Sequence, residues 1–341
     1  MADPIEQLLA TWEPAIRRAF LKAVQDIRDT VVLNRLVSAL EAGDADQALE
    51  LVGIEPARFR PLDAEIARAF EGSGQDITAA IARMRRANDP RPLFDYRQPG
   101  AEGWVRSHAE IVIRDVVADQ KVMVRQNLEA GLILGQSPQA TALNLVGRVN
   151  RATGKREGGY IGLTASQEAW ARNYEAELAG SPPDAAALTR KLRDRRFDRT
   201  VQKAIREGKP IPAETRQAMA AAYRNRALRF RAESIAGNEA HLALQEAQDE
   251  AWRQAIARGA VQEQDVRRFW VTAGDDRVRP THRAVPGMNK AGVGLREPFQ
   301  TPKGPAMQPG WSFDPGCRCR TLIRIVEAQN PEAIPRQPAF A

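Results

Sequence analysis

With 341 residues, 43% of them apolar, and a mean hydropathy of −0.45, the chain can bury two or three cores and is too polar for a membrane protein. Its two cysteines exclude a disulfide framework. A net charge of +7 suits a polyanionic neighbour such as DNA without selecting one.

No stretch approaches about eighteen uninterrupted apolar residues. The start, Met1-Ala-Asp-Pro-Ile-Glu, has neither the basic residues nor the apolar run of a secretory leader. The expectation is a protein that stays in the cytoplasm that makes it, with its thiols reduced.

Ile5, Leu8, Leu9, Trp12, Ile16, Phe20, Val24, Ile27 and Val31 recur at three- and four-residue spacing, which predicts an amphipathic helix. Asp3 and Pro4 suit its start, and Pro14 is expected to kink or split it. Shorter helices are expected at Asp46–Val52, Pro61–Phe70 and Ile77–Ala87, the last two divided by Gly72-Ser-Gly74. Residues 1–87 thus read as a helical bundle, and 88–101, rich in Pro and polar residues, as a linker or extended arm.

A long helix should run from Trp104 to Gly131 or Gly135, followed by a helix capped by Ser137-Pro138 and passing through Val149. The glycine-rich Gly154–Gly162 stretch resembles half a phosphate loop, but Val149 and Arg156 stand where a Gly and a Ser or Thr are needed. A structural turn, or a loop presented to a partner, is the better expectation. Thr164 caps the next helix. Ala185 to Glu207 then reads as one helix carrying Arg190, Lys191, Arg193, Arg195, Arg196, Arg199, Lys203 and Arg206 away from an apolar side. A last long helical region, Ala213 to Arg258, has a weak point at Gly237-Asn238.

Near the C-terminus the pattern changes. Phe269, Trp270, Val271 and Thr272 read as a short strand ended by the turn residues Ala273-Gly-Asp-Asp276. After Cys317 the alternation predicts a second strand, with Cys317, Cys319, Thr321, Ile323 and Ile325 on one face. The Gly/Pro-rich stretch from Pro286 to Pro315 should be an irregular excursion anchored by Phe299 and Trp311. The expected fold is mainly α: helical N-terminal and central regions with a small C-terminal α+β module at 213–326 and a tail at 327–341.

These residues resemble the minor head, or head morphogenesis, proteins of tailed phages, typified by the F protein of phage Mu. The resemblance is carried by Trp270, Thr272, Asp275, Arg277, Arg279 and His282, then Phe299 and Pro302, then Cys317-Arg318-Cys319. It is strong over 220–326 and weaker upstream, where Thr153 to Thr164 is also similar to a segment of such proteins. The chain departs from the family at Ile235-Ala-Gly-Asn-Glu239, where Arg and Thr are common. It also has Arg279 and His282 where some relatives carry a Cys-x-x-Cys.

The resemblance implies a low-copy virion component, made in the host cytoplasm and carried at the portal side of the head. Its implied partners are the portal protein and capsid or scaffold proteins, and it would support head assembly and DNA packaging or ejection. The implied role is structural rather than enzymatic.

Three sets of residues carry chemistry. Between Arg190 and Arg231 stand fourteen Lys and Arg against four acids, a field suited to double-stranded DNA without sequence preference, or simply to keeping a helical bundle solvated. His282, Cys317 and Cys319 are good zinc ligands, with Asp275 or Asp276 a fourth, but Cys-x-Cys with one His falls short of the usual two ligand pairs. Thiols packed in a small core, with no cofactor, are the expectation. Asp275 is expected to pair with an Arg of the Cys-Arg-Cys segment, Arg318 or Arg320, fastening the excursion. An alternative makes Asp275, Asp276 and His282 a metal-dependent nuclease centre. A plain DNA-binding protein of the virion is the other alternative.

Overall fold

The computed structural model describes residues 4–84, 88–133, 135–310, 313–314 and 316–326. It is mainly helical, with two small antiparallel two-stranded sheets among those residues. Among those residues ten α-helices run in order as α1 (Pro4–Thr30), α2 (Leu33–Glu41), α3 (Ala45–Val52), α4 (Arg60–Met84), α5 (Pro99–Ile133), α6 (Pro138–Val146), α7 (Ala165–Ala179), α8 (Asp198–Glu207), α9 (Ala213–Ala257) and α10 (Pro280–Met288). The strands are β1 (Arg148–Val149) paired with β2 (Arg156–Glu157), and β3 (Val266–Val271) paired with β4 (Arg320–Ile325).

The chain forms two compact units, each assembled from discontinuous pieces: 1–16, 65–108 and 236–341 in one, and 17–64 and 109–235 in the other.

None of three expected weak points divides its helix. α1 runs unbroken through Pro14, α4 through Gly72-Ser-Gly74, and α9 through Gly237-Asn238 for 45 residues. The glycines of α4 serve contact rather than termination. A Cβ on Gly72 would lie 2.5 Å from the Trp12 ring, and one on Gly74 would lie 2.3 Å from the Phe94 ring. Phe94 belongs to the segment expected as a linker. That segment is non-helical up to α5, and it is docked: Gln254 of α9 accepts from the Asp95 amide at 2.7 Å and donates to its carbonyl at 2.9 Å.

In the unit formed by 17–64 and 109–235, the glycine-rich stretch is a structural turn with an exposed tip at 151–155 and a buried stem. Arg28 donates to the carbonyls of Gly159 (2.8 Å) and Ile161 (3.1 Å), and Asn225 accepts from the Gly158 amide at 2.8 Å. Gln120 accepts from the Gly162 amide and donates to the Leu163 carbonyl. Buried peptide groups need such partners. The backbone amides a phosphate would use at Gly158 and Gly162 are therefore already engaged. A Cβ on Gly159 would stand 2.5 Å from the Gly147 nitrogen, which explains why only glycine fits there. Val149, expected in a helix, lies in β1 instead, because α6 ends at Val146 and Gly147 adopts φ +88°.

The expected helix from Ala185 to Glu207 is also corrected. The chain makes 3-10 turns at Ala185–Thr189 and Arg195–Phe197, and only then α8. Asp184 and Asp194 cap these turns, each accepting from the amide two residues on. Short acidic side chains compete with the helix for backbone donors, which breaks it into pieces.

The C-terminal unit keeps its sheet on two buried layers. β3 alternates inward and outward, with Val266, Arg268 and Trp270 buried. Val266 and Ile323 of β4 pack against Ala251, Trp252 and Ala255 of α9. Trp270 joins a second cluster with Val285 of α10, Phe299, Cys317 and Cys319.

Candidate functional site

The two strands predicted from the sequence are neighbours. Trp270 pairs with Thr321 and Val271 with Arg320, so the excursion between them closes on itself. β3 starts three residues earlier than expected, and Cys317 and Cys319 lie on the stretch leading into β4 rather than within it. α10, unforeseen in the sequence, places His282 in its first turn behind Pro280.

Buried Arg268 organises the excursion. Its guanidinium donates to the carbonyls of Gly294 (3.3 Å), Met307 (2.7 Å) and Glu297, and sits 5.1 Å from the Phe299 ring centre. Its backbone exchanges hydrogen bonds with Val293 at 2.8 and 2.9 Å. Phe299 and Ala306 make a second such exchange, and Asn289 clamps Gln300 from both sides. Gln245 of α9 donates to the Pro309 carbonyl at 2.9 Å. Through residue 310 the Gly/Pro-rich stretch is thus pinned at several points. Phe299 is the anchor expected of it, while Trp311 lies outside the described residues.

At the open end, Trp270 is buried with its ring edge-on to Phe299 (5.5 Å), Phe313 (5.3 Å) and His282 (6.1 Å). His282 is 2% exposed. Its Nε2 lies 2.9 Å from Asp314 Oδ2, and its Nδ1 lies 3.5 Å from each of Cys317 Sγ and Cys319 Sγ. Asp314 also accepts from Lys303 Nζ at 2.6 Å, and Arg279 stands 3.8 Å away. The Lys303 and His282 hydrogen bonds hold the Asp314 carboxyl below the usual carboxylate range.

An ionised carboxylate only accepts, so His282 Nε2 donates to Asp314 and Nδ1 faces the two sulfurs. The hydrogen bond between the two thiols pushes Cys317 down to about 6 and Cys319 up, and burial also raises Cys319. Chemically this is a ready chelating set, with a carboxylate behind the imidazole.

The remaining residues of the motif surround a cleft over these groups. Arg277, Arg279 and Arg318 are exposed along it, Thr272 follows β3 half-buried, and Pro302 is exposed in the turn closed by Thr301 and Gly304. Asp275 meets Arg318 only as a longer-range attraction, which adds to the lowering of its carboxyl, rather than as the direct pair expected of it. It binds Arg277, two residues away, through Oδ2 at 2.9 and 2.7 Å, because the turn after β3 brings these neighbours together first. The long-range fastening belongs to Asp314 and Arg268. Asp314 directly precedes the Pro-Gly-Cys-Arg-Cys segment. Arg268 shares the inward side of β3 with Trp270 at a spacing of two, a signal present in the sequence.

Of the basic set, Arg190 is taken by Glu177, Arg193 by Asp198 (2.9 and 3.0 Å), and Arg196 by Asp194 (3.0 and 2.7 Å). The Arg196 side chain holds Asp194 down to about 2. Lys191, Arg195, Arg199, Lys203 and Arg206 remain exposed, and Arg199, Lys203 and Arg206 follow one face of α8 at helical spacing, opposite buried Val201 and Ala204.

His241 is buried on α9 with Nδ1 2.8 Å from Gln245. Burial pushes it down to about 4, and Arg318 and Arg320 add to the effect. A histidine with a depressed folded pKa supplies stability at neutral pH that is lost as pH falls from about 6.5 through about 4, roughly 3 kcal/mol at full extent. Thermal unfolding of His241→Gln measured from pH 7 to 4 should therefore fall less steeply than that of the parent. Superimposable pH profiles would refute the assignment.

No family model, no curated protein and no solved structure matches this chain.

Proposed function

We propose that the chain is a head-morphogenesis protein of a tailed phage. It acts as a low-copy virion component at the portal side of the head, contacting portal and capsid or scaffold proteins and supporting head assembly. The observation that carries this reading is the convergence of the motif. Trp270, His282, Phe299, Cys317 and Cys319, spread over the last third of the chain, meet in one buried cluster closed by β3 and β4. A motif whose members build one core specifies a module rather than a chance composition.

The exposed stripe Arg195, Arg199, Lys203 and Arg206 supports a second element, contact with packaged double-stranded DNA through its phosphates. The triple variant Arg199→Gln, Lys203→Gln, Arg206→Gln should lower the slope of log affinity against log salt by roughly 2 to 3 for duplex DNA of any sequence. An unchanged slope would remove α8 from the DNA contact. No helix among the described residues is long and apolar enough to cross a membrane.

The role is structural. A nuclease centre on Asp275, Asp276 and His282 gains no support from a His282 already bound by Asp314 and facing two sulfurs. Co-expression with the portal protein of the same phage, followed by sizing, tests the proposal. The two should elute as one complex, and separate elution at micromolar concentration would overturn it.

A further inference from the structure

We propose that His282 Nδ1, Cys317 Sγ and Cys319 Sγ together hold a zinc-class divalent cation whose fourth position opens on the cleft beside Asp275, Arg277 and Arg318. The three ligand atoms lie within 4.8 Å of one another, and no other such group of His, Cys, Asp or Glu occurs among the described residues. The spacing fits the ion. Zinc bonds of about 2.3 Å to sulfur and about 2.05 Å to nitrogen, at a tetrahedral angle, place S and N about 3.5 Å apart. Both sulfurs stand 3.5 Å from Nδ1.

In a neutral ring Nδ1 carries one lone pair, and two sulfurs face it at equal distance. A cation between the three atoms uses that lone pair and both sulfurs at once. Asp314 occupies the place a carboxylate takes behind a metal-bound histidine, accepting from Nε2 and so fixing the ring and aiming Nδ1. Lys303 in turn holds Asp314. Trp270, Phe299 and Phe313 close the apolar side.

Three protein ligands leave a tetrahedral ion one place. The cleft bordered by the ligand residues also carries Arg277, Arg279 and Arg318, so the fourth ligand is water or a small anion drawn by those cations. Asp275 lines the same cleft but is engaged by Arg277. Binding the ion as a dithiolate displaces the thiol protons to solvent and involves no change of oxidation state. It ties the first turn of α10 to the entry of β4, two segments that otherwise meet only through side-chain packing and hydrogen bonds. This inference concerns the module's construction and stands whether or not the portal is its partner.

The test uses the full chain, produced without a polyhistidine tag. Metal analysis of the purified protein should find about one equivalent of zinc, and the chelated protein should take up about one equivalent of Co2+ with the intense visible bands of a tetrahedral thiolate site. Cys317→Ser and Cys319→Ser should each weaken or abolish those bands. Asp314→Asn should keep the stoichiometry while binding Co2+ about tenfold to a hundredfold more weakly. Azide should shift the Co2+ bands if the fourth position is exchangeable, and unchanged bands would refute an open site. A folded parent protein with neither zinc nor a Co2+ spectrum overturns the whole proposal, independent of how any variant folds.

Discussion

Replacing Arg268 with Met should destabilise the C-terminal unit by about 3–5 kcal/mol, although Met is apolar and fits a strand interior. The guanidinium is buried, and its removal leaves the carbonyls of Gly294, Glu297 and Met307 without their donor. Its charge is balanced at longer range by Asp249 and Glu297. Burial already pushes Asp249 up to about 6 despite the attraction of Arg268, so loss of that cation worsens Asp249's position too. Lys should not rescue, because one ammonium cannot reproduce a planar fork aimed at three carbonyls. Hydrogen exchange gives the local readout: the amides of Val293, Phe299 and Ala306 should lose protection while those of α7 keep it. Loss of less than about 1 kcal/mol, with these amides still protected, would show that the excursion holds itself without Arg268.

The second large effect belongs to Trp270. Trp270→Ala empties the centre of the cluster formed by Phe299, Phe313, His282 and the two cysteines, and should cost about 3–5 kcal/mol. Trp270→Phe should recover most of it, since the edge-to-face contacts with Phe299 and Phe313 need a ring. Thiol titration adds a structural readout. Cys317 and Cys319 are buried, so they should react slowly in the parent and quickly in Trp270→Ala. Equal reaction rates would mean that the cluster does not depend on its tryptophan.

Much of this arrangement was legible in the residues. Aromatic and β-branched residues at 269–272 and period-two alternation after Cys317 mark two strands, which the structure pairs antiparallel. The helices of the rest were equally plain where caps were strong, as at Ser137 and Thr164, where Thr164 and Gln167 form a reciprocal cap.

What escaped has physical reasons. Gly72 and Gly74 carry the chemistry of breaks, yet tertiary contact decides their role. An aromatic ring from elsewhere in the chain occupies the space beside Gly72 and Gly74, information no local window holds. The stretch from Ala185 to Glu207 has a helical apolar period, but Asp184 and Asp194 spend their carboxylates on nearby amides and Arg196, which cuts the helix and neutralises part of the expected basic face. Arg268 was hidden by its charge. A strand that buries Trp270 also buries the residue two places earlier, and arginine there has to find backbone acceptors. Asp314 was missed because its partners His282 and Lys303 become neighbours only after the excursion closes.

The measurement that bears most directly on the proposed role is mass spectrometry of purified phage heads assembled in cells expressing this chain with the other head genes. Peptides of this chain should be present at a few copies per head, and should disappear from the particles when Trp270→Ala replaces the parent. Heads that are complete, filled with DNA and free of this chain would contradict the account.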